Sequence, residues 1–491
     1  MGKKAPRPAA GDAVGDELLE QGDALLTEKR FREAYQCFLE ASTRLPTKQV
    51  AWFNLGLAAS ELWQVEGGDF FWWQNKCRST RAKGGGEELL AASIDAFRAV
   101  LRLDTSKRAE LRYLSALAAG RLLVQAAELE EDSTNTLILS EALQHFAEAQ
   151  RCVEQWGHPD LGSAWGDWGK AQALQMKRVM ANCKLDGAVQ WKEMLETSSK
   201  LCEEAADKFE KARAAVDDEG FEEDDGNEEG DDLDWMVLHI EHLLQFVDFA
   251  ITALDKSKAM EISIEWLRRA IIAWRSCFSL TLAVRYLSQS NRFNALQGDA
   301  YAAGCRLLGS PFELLTALSH STSEGSTTQL LGSKGLLLPP PPGSGSGEIV
   351  EHLPSEATEE ELATLAEAAY IAAGAEGLLP MGELQMHLAR RMQSTSRDPM
   401  AHLKKATEVF QALSNNGPDD KAIAWYNMAC VAAMANRPDY AAKALRTCLH
   451  AVEPSQRRKW IEEVREDGDL QPLLNLPEIQ AALELETGGY R

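Results

Sequence analysis

The chain has 491 residues, is 45% hydrophobic and carries a formal charge of −24, from 75 acidic against 51 basic residues. That balance argues against a direct nucleic-acid partner, which needs clustered Lys and Arg, and favours a protein partner of basic character. The nine cysteines form no C-x-x-C pair, and no run of 18 uninterrupted apolar residues occurs, so neither a disulfide framework nor a membrane span is expected.

In chain order, residues 1–14 contain no apolar run and are expected to be a disordered tail without a secretory signal, which points to a cytoplasmic or nuclear protein. Residues 15–215 are expected to form a first helical array. Its opening unit places Gly22, Leu25, Ala34, Phe38, Ala41 and Pro46 at the intervals where small side chains let two antiparallel helices cross. Glu28-Lys29-Arg30 supplies the turn, and Pro46 ends the unit. A second unit opens with Trp52, Leu55, Gly56 and Ala59. Its partner helix, with Ser93, Phe97 and Val100, arrives roughly 25 residues later than a regular period would place it. Residues 65–86 are therefore an insertion, which holds Phe70-Phe71-Trp72-Trp73 and then Lys76, Arg78, Arg81 and Lys83. A third, degraded unit shows Ala142, Phe146 and Ala149. A fourth opens with Trp165, Trp168, Gly169 and Gln172 and closes with Ala205, Phe209 and Ala212, with Met176–Lys200 read as prolonging both helices.

Asp217–Asp234 holds 12 acids and no base, and residues 216–234 are expected to be disordered. Residues 235–309 read as further helix pairs: Leu238, Leu243, Leu244, Val247 and Leu254 on one helix, Glu261–Phe278 as a second, and Asn294, Gln297, Gly298 and Tyr301 opening another. Residues 310–356, with Pro339–Pro342 and Gly343-Ser344-Gly345-Ser346-Gly347, read as a flexible linker. Residues 357–491 read as a C-terminal repeat pair with a capping helix, and the sequence leaves open whether this stack continues the first. Ala406, Phe410 and Leu413 mark one helix. Trp425, Met428, Ala429, Ala432, Ala441, Leu445 and Cys448 mark the clearest late unit, with Arg437-Pro438-Asp439 as its turn and Ser455–Val464 as a capping helix.

These spacings resemble the tetratricopeptide repeat (TPR) family. The resemblance implies an all-α superhelix of helix pairs whose concave groove, lined by the first helix of each pair, binds peptides or whole proteins. It makes Trp52, Asn54, Tyr426 and Asn427 the candidate groove residues, with Phe71, Trp72 and Trp73 as an accessory anchor. Members that act with heat-shock chaperones grip a terminal carboxylate with a Lys and an Asn of the first repeat and an Asn of the second. Asn54 fits the last position, but Leu19 and Asp23 occupy the other two, which argues against that clamp.

The leading expectation is a non-catalytic adaptor or scaffold. One alternative is an escort chaperone for a basic client, a histone or ribosomal protein, using the acidic run; another is a regulatory subunit of an enzyme complex. No histidine has metal-type spacing from a cysteine; His239 and His242 stand three apart with Glu241 between them. No phosphate-binding loop or nucleophile elbow occurs, so no catalytic residue, cofactor or metal is expected.

Overall fold

The computed structural model describes residues 10–66, 89–103, 109–129, 137–156, 162–181, 188–218, 229–256, 260–287, 291–310, 315, 336–337 and 356–484. The fold is all-α, and the chain divides into two compact units, Met1–His242 and Leu243–Arg491. In the first unit α1 (Ala10–Thr27) pairs with α2 (Phe31–Arg44), and α3 (Gln49–Glu66) with α4 (Leu89–Arg102). Next, α5 (Ala109–Leu129) pairs with α6 (Leu137–Trp156), and α7 (Gly162–Ala181) with α8 (Ala188–Asp218). Helix α9 (Glu229–Lys256) starts in this unit and finishes in the second. There follow α10 (Met260–Leu287), α11 (Asn291–Leu308), α12 (Glu359–Ala373), α13 (Leu378–Ser394), α14 (Met400–Leu413), α15 (Pro418–Met434) and α16 (Pro438–Ala451). The last two helices are α17 (Arg457–Glu466) and α18 (Pro477–Glu484). Helices α11 and α12, α13 and α14, and α15 and α16 form the hairpins of this unit.

One joint recurs. Glycine on the first helix of a hairpin lies under an aromatic ring of the second: Gly22 under Phe38, Gly56 under Phe97, Gly120 under Phe146, Gly169 under Phe209, Gly298 under Tyr370 and Gly382 under Phe410. A Cβ at any of these glycines would stand no more than 3.1 Å from its nearest ring atoms, closer than ordinary carbon contact. All six rings are buried to 2% exposure or less. On α2 the ring belongs to a stripe of Ala34, Tyr35, Phe38, Ala41 and Ser42, the helical spacing that buries one face. Burying such a ring contributes about 1.5–3 kcal/mol, and the missing Cβ allows the backbones to close on it.

Where the connection is short, the turn repeats too. Lys29, Ser396 and Asn436 take positive φ of 59°, 56° and 54°. The following amide in each case donates back five residues: Arg30 to Leu25, Arg397 to Met392 and Arg437 to Ala432, at 2.8–2.9 Å. This satisfies the last helical carbonyls and reverses the chain. The last turn thus centres on Asn436, not on Arg437-Pro438-Asp439; Pro438 is already the first residue of α16, where its missing N–H costs nothing.

Two expected boundaries change. The 310–356 segment runs within a helix pair: α11 and α12, on either side of it, are one hairpin, locked by Gly298 and Tyr370. It is not unstructured throughout, since Leu336–Leu337 pairs antiparallel with Glu356–Ala357, with Leu336 and Ala357 fully buried. Thr358 then caps α12 with a reciprocal pair of bonds, Glu361 N to Thr358 Oγ1 at 3.2 Å and Thr358 N to Glu361 Oε2 at 2.8 Å. The acidic stretch is also shorter than expected: α8 runs through Asp218 and α9 begins at Glu229, because flanking helices extend over charged residues once their apolar turns are packed. Residues 219–228 and most of the 65–86 insertion lie outside the described residues.

Two stretches, Trp235–Leu254 and Glu359–Ser394, reach membrane-spanning length and mean hydropathy, although neither is an uninterrupted apolar run. The first buries 61% of its window inside the protein. The second is broken at Gly374, φ 63°, into α12 and α13.

Candidate protein-binding face

In the first unit the opening helices of successive hairpins touch one another: α1 meets α3, α3 meets α5, and α5 meets α7. Polar bridges tie the ends of this row. Asn54 Nδ2 of α3 donates to Asp23 Oδ1 of α1 at 2.6 Å. Arg121 of α5 pairs with Asp167 of α7, and Lys170 Nζ of α7 lies 2.9 Å from Glu128 of α5. Phe53 and Leu57 of α3 and Ala118 of α5 are half-buried against one shared core, with Phe53 edge-on to Phe97 of α4 at 5.9 Å. Partial burial raises the Asp23 carboxyl above its usual range, partly offset by the Asn54 bond. Beside the row, Trp165 and Trp168 stack at 5.5 Å, with Lys208 Nζ 4.5 Å from the Trp168 ring and Lys211 Nζ 5.1 Å from that of Trp165.

In the second unit α11 touches α13 and α13 touches α15. Here the polar groups link elements within the unit. Tyr370 Oη donates to Asp299 Oδ1 at 2.8 Å, and Arg390 Nη2 to Asp469 Oδ2 at 2.5 Å. Tyr426 Oη donates to Asp467 Oδ2 at 2.7 Å, while the other Asp467 oxygen accepts from the amides of Asp469 and Leu470. Burial and the neighbouring aspartate push both tyrosines well above the usual phenol range, so they stay neutral donors. Among the described residues two groups of metal-ligand type converge: Cys305 with Glu359 and His387, and Cys430 with Asp467 and Asp469.

The expected groove residues meet different fates. Trp52 is half-buried and its Nε1 donates to Pro46 O at 2.9 Å, bracing the turn before α3. Asn54 is engaged by Asp23. Tyr426 clasps the C-terminal cap through Asp467 and meets Trp460 edge-on at 5.5 Å. Asn427 stands half-buried on α15. Phe71, Trp72 and Trp73 lie outside the described residues. Sequence reading passed over Gly120, Tyr370 and Gly382, each legible as half of a glycine–aromatic pair once its partner is known. It also passed over the Asp23–Asn54 bridge, whose ends were read only as clamp positions.

His239 and His242 are buried between α8 and α9. The Phe209 ring stacks on His239 at 5.3 Å, and His242 Nε2 lies 3.3 Å from the Cys202 carbonyl. Burial first, then His242 and Arg213, pull His239 down to about 3; burial pulls His242 down to about 4. Both are neutral packing groups at pH 7. Buried thiols are raised in the same way, Cys202 and Cys448 to about 12, which makes them poor nucleophiles.

No protein-family model and no curated protein matches the chain. Solved structures match it loosely. One is a circular tandem repeat protein with novel repeat topology, 13% identical, covering 97% of this chain and 88% of that one at a TM-score of 0.30. Another is a crystal structure of the P58(IPK) TPR domain, 12% identical, covering 96% and 97%, at a TM-score of 0.21. Superpositions this loose equate no individual residues.

Proposed function

We propose that the chain is a non-catalytic scaffold of the TPR kind that holds an extended segment of a partner protein. The segment would lie across the row of opening helices α1, α3, α5 and α7; the opening helices of the second unit, α11, α13 and α15, would offer a row of their own. One observation carries this reading: successive opening helices touch, and their row in the first unit carries half-buried apolar residues, Phe53, Leu57 and Ala118, together with polar bridges. An apolar strip takes side chains, and flanking polar groups align a peptide backbone. The Asp23–Asn54 bond supports the expectation against a heat-shock carboxylate clamp, since Asp23 repels a carboxylate and already holds the Asn54 amide.

The test is site-specific photo-crosslinking in native extract. A crosslinker at Leu57 or Asn427 should capture one reproducible partner set, while one at the outward positions Gln36 or Arg446 should not. Equal capture from both faces would reject the reading.

A second reading, escort of a basic client, is favoured by the 12 acids of Asp217–Asp234 and the net charge of −24. Charge complementarity mainly raises association rates. Removing residues 219–228 should then slow association with a basic client and flatten its salt dependence; unchanged kinetics would remove this reading.

A further inference from the structure

Three side chains of the second unit, far apart in sequence, meet where α11, α12 and α13 come together. Cys305 lies in the last turn of α11, Glu359 is the first residue of α12, and His387 is on α13. One ligand atom of each, a sulfur, a carboxylate oxygen and an imidazole nitrogen, lies within 4.8 Å of the other two. Cys305 is fully buried. His387 Nε2 is sealed from solvent and has no hydrogen-bond partner among the described residues. A buried nitrogen left in that state costs about 1–3 kcal/mol, a penalty that a ligand for its lone pair would remove.

We propose that Cys305, Glu359 and His387 form a binding site for one divalent transition-metal ion of the zinc type. The donors decide the class. A sulfur excludes Mg²⁺ and Ca²⁺, which take oxygen ligands. Sulfur, nitrogen and oxygen together suit zinc, with three protein ligands and one position left for water. Bond lengths of about 2.0–2.3 Å put tetrahedral donors about 3.3–3.8 Å apart, so the three side chains need close by at most about 1.5 Å. On binding, the thiol gives its proton to solvent and coordinates as thiolate, and the neutral imidazole coordinates without losing one.

Four arginines act on the site, Arg306, Arg390, Arg391 and Arg397, and the thiolate and carboxylate of the metal-bound state offset part of their charge. Arg306 is paired with Asp248 at 2.7 Å. Arg391 Nε lies 3.7 Å from Glu359 Oε1, a long contact. The other convergence, Cys430 with Asp467 and Asp469, is a weaker candidate. Its carboxylates already serve Tyr426, Arg390 and two backbone amides.

Position in the fold gives the site a role. Cys305 and Glu359 stand at the two ends of the chain stretch that interrupts the α11–α12 hairpin. A metal joining them closes the base of that stretch and adds its binding free energy to the stability of the hairpin.

The experiment uses the full chain, stripped with a chelator and titrated with Co²⁺ as the spectroscopic probe. One equivalent should produce a thiolate-to-cobalt charge-transfer band in the near ultraviolet and the visible bands of tetrahedral cobalt, and Zn²⁺ should displace both. Cys305→Ser and His387→Gln should abolish the charge-transfer band, Glu359→Gln should weaken binding at least tenfold, and Cys430→Ser should leave the band intact. Absence of a thiolate band in the unmodified protein would overturn the site, as would a band that survives Cys305→Ser. If Cys305→Ser fails to fold, His387→Gln decides in its place: an unchanged Co²⁺ affinity there would overturn the site.

Discussion

The α1–α2 and α11–α12 hairpins are the same joint with very different chain between the helices. Residues 28–30 connect the first pair, and residues 309–358 the second. Yet Gly22 lies under Phe38 as Gly298 lies under Tyr370. The comparison teaches that the lock, and not the connection, defines the unit. A longer connection adds little cost, since loop-closure entropy grows only with the logarithm of length.

The strongest challenge removes the ring on each side. Phe38→Ala and Tyr370→Ala should each cost about 3–5 kcal/mol in chemical denaturation. A much smaller loss at Tyr370 would mean that the interrupted hairpin is held by something other than its lock.

Acid extends the comparison to a lock that carries histidines. The α1–α2 hairpin contains none, whereas Phe209 of the α7–α8 hairpin packs on His239 and His242. Their folded-state affinities for protons lie at about 3 and about 4, below the ordinary 6.5. Below pH 6.5 the unfolded chain therefore binds more protons, and stability present above that pH is lost as it falls towards 4. The loss should be on the order of 2 kcal/mol per imidazole. Hydrogen exchange at pH 7 and pH 4.5 should show α8 and the start of α9 opening before α1–α2; the opposite order would contradict their burial.

Filling the glycines is a milder probe. Gly22→Ala and Gly298→Ala should each cost about 1–3 kcal/mol and lower the melting temperature, because a methyl group must displace a packed ring. Matching losses would confirm that both joints have the same tolerance.

The smallest effect belongs to the short turn alone. Lys29→Gly relieves a left-handed residue and should stabilise the α1–α2 hairpin by at most about 1 kcal/mol. Destabilisation would show that the Lys29 side chain does more than occupy the turn.

Legibility varied with the distance between partners. The α1–α2 and α15–α16 pairs could be read because their small and aromatic residues lie within one regular period. The α5–α6 pair looked degraded because Gly120 was not recognised as the seat for Phe146. The candidate face was less legible. Trp52, Asn54 and Tyr426 lie on opening helices, but nothing in the sequence indicated that Pro46, Asp23 and Asp467 would engage their polar atoms.

Local spacing by itself determined that this chain is helical, where most helices lie, and that paired helices are its building unit, because side chains a few residues apart on a helix share a face whatever the rest of the molecule does. Tertiary structure alone decided that α11 and α12 meet across residues 309–358, that Asp23 holds Asn54, and that Cys305, Glu359 and His387 share one point. Those are contacts through space between distant residues, and their sequence separation carries no mark of them.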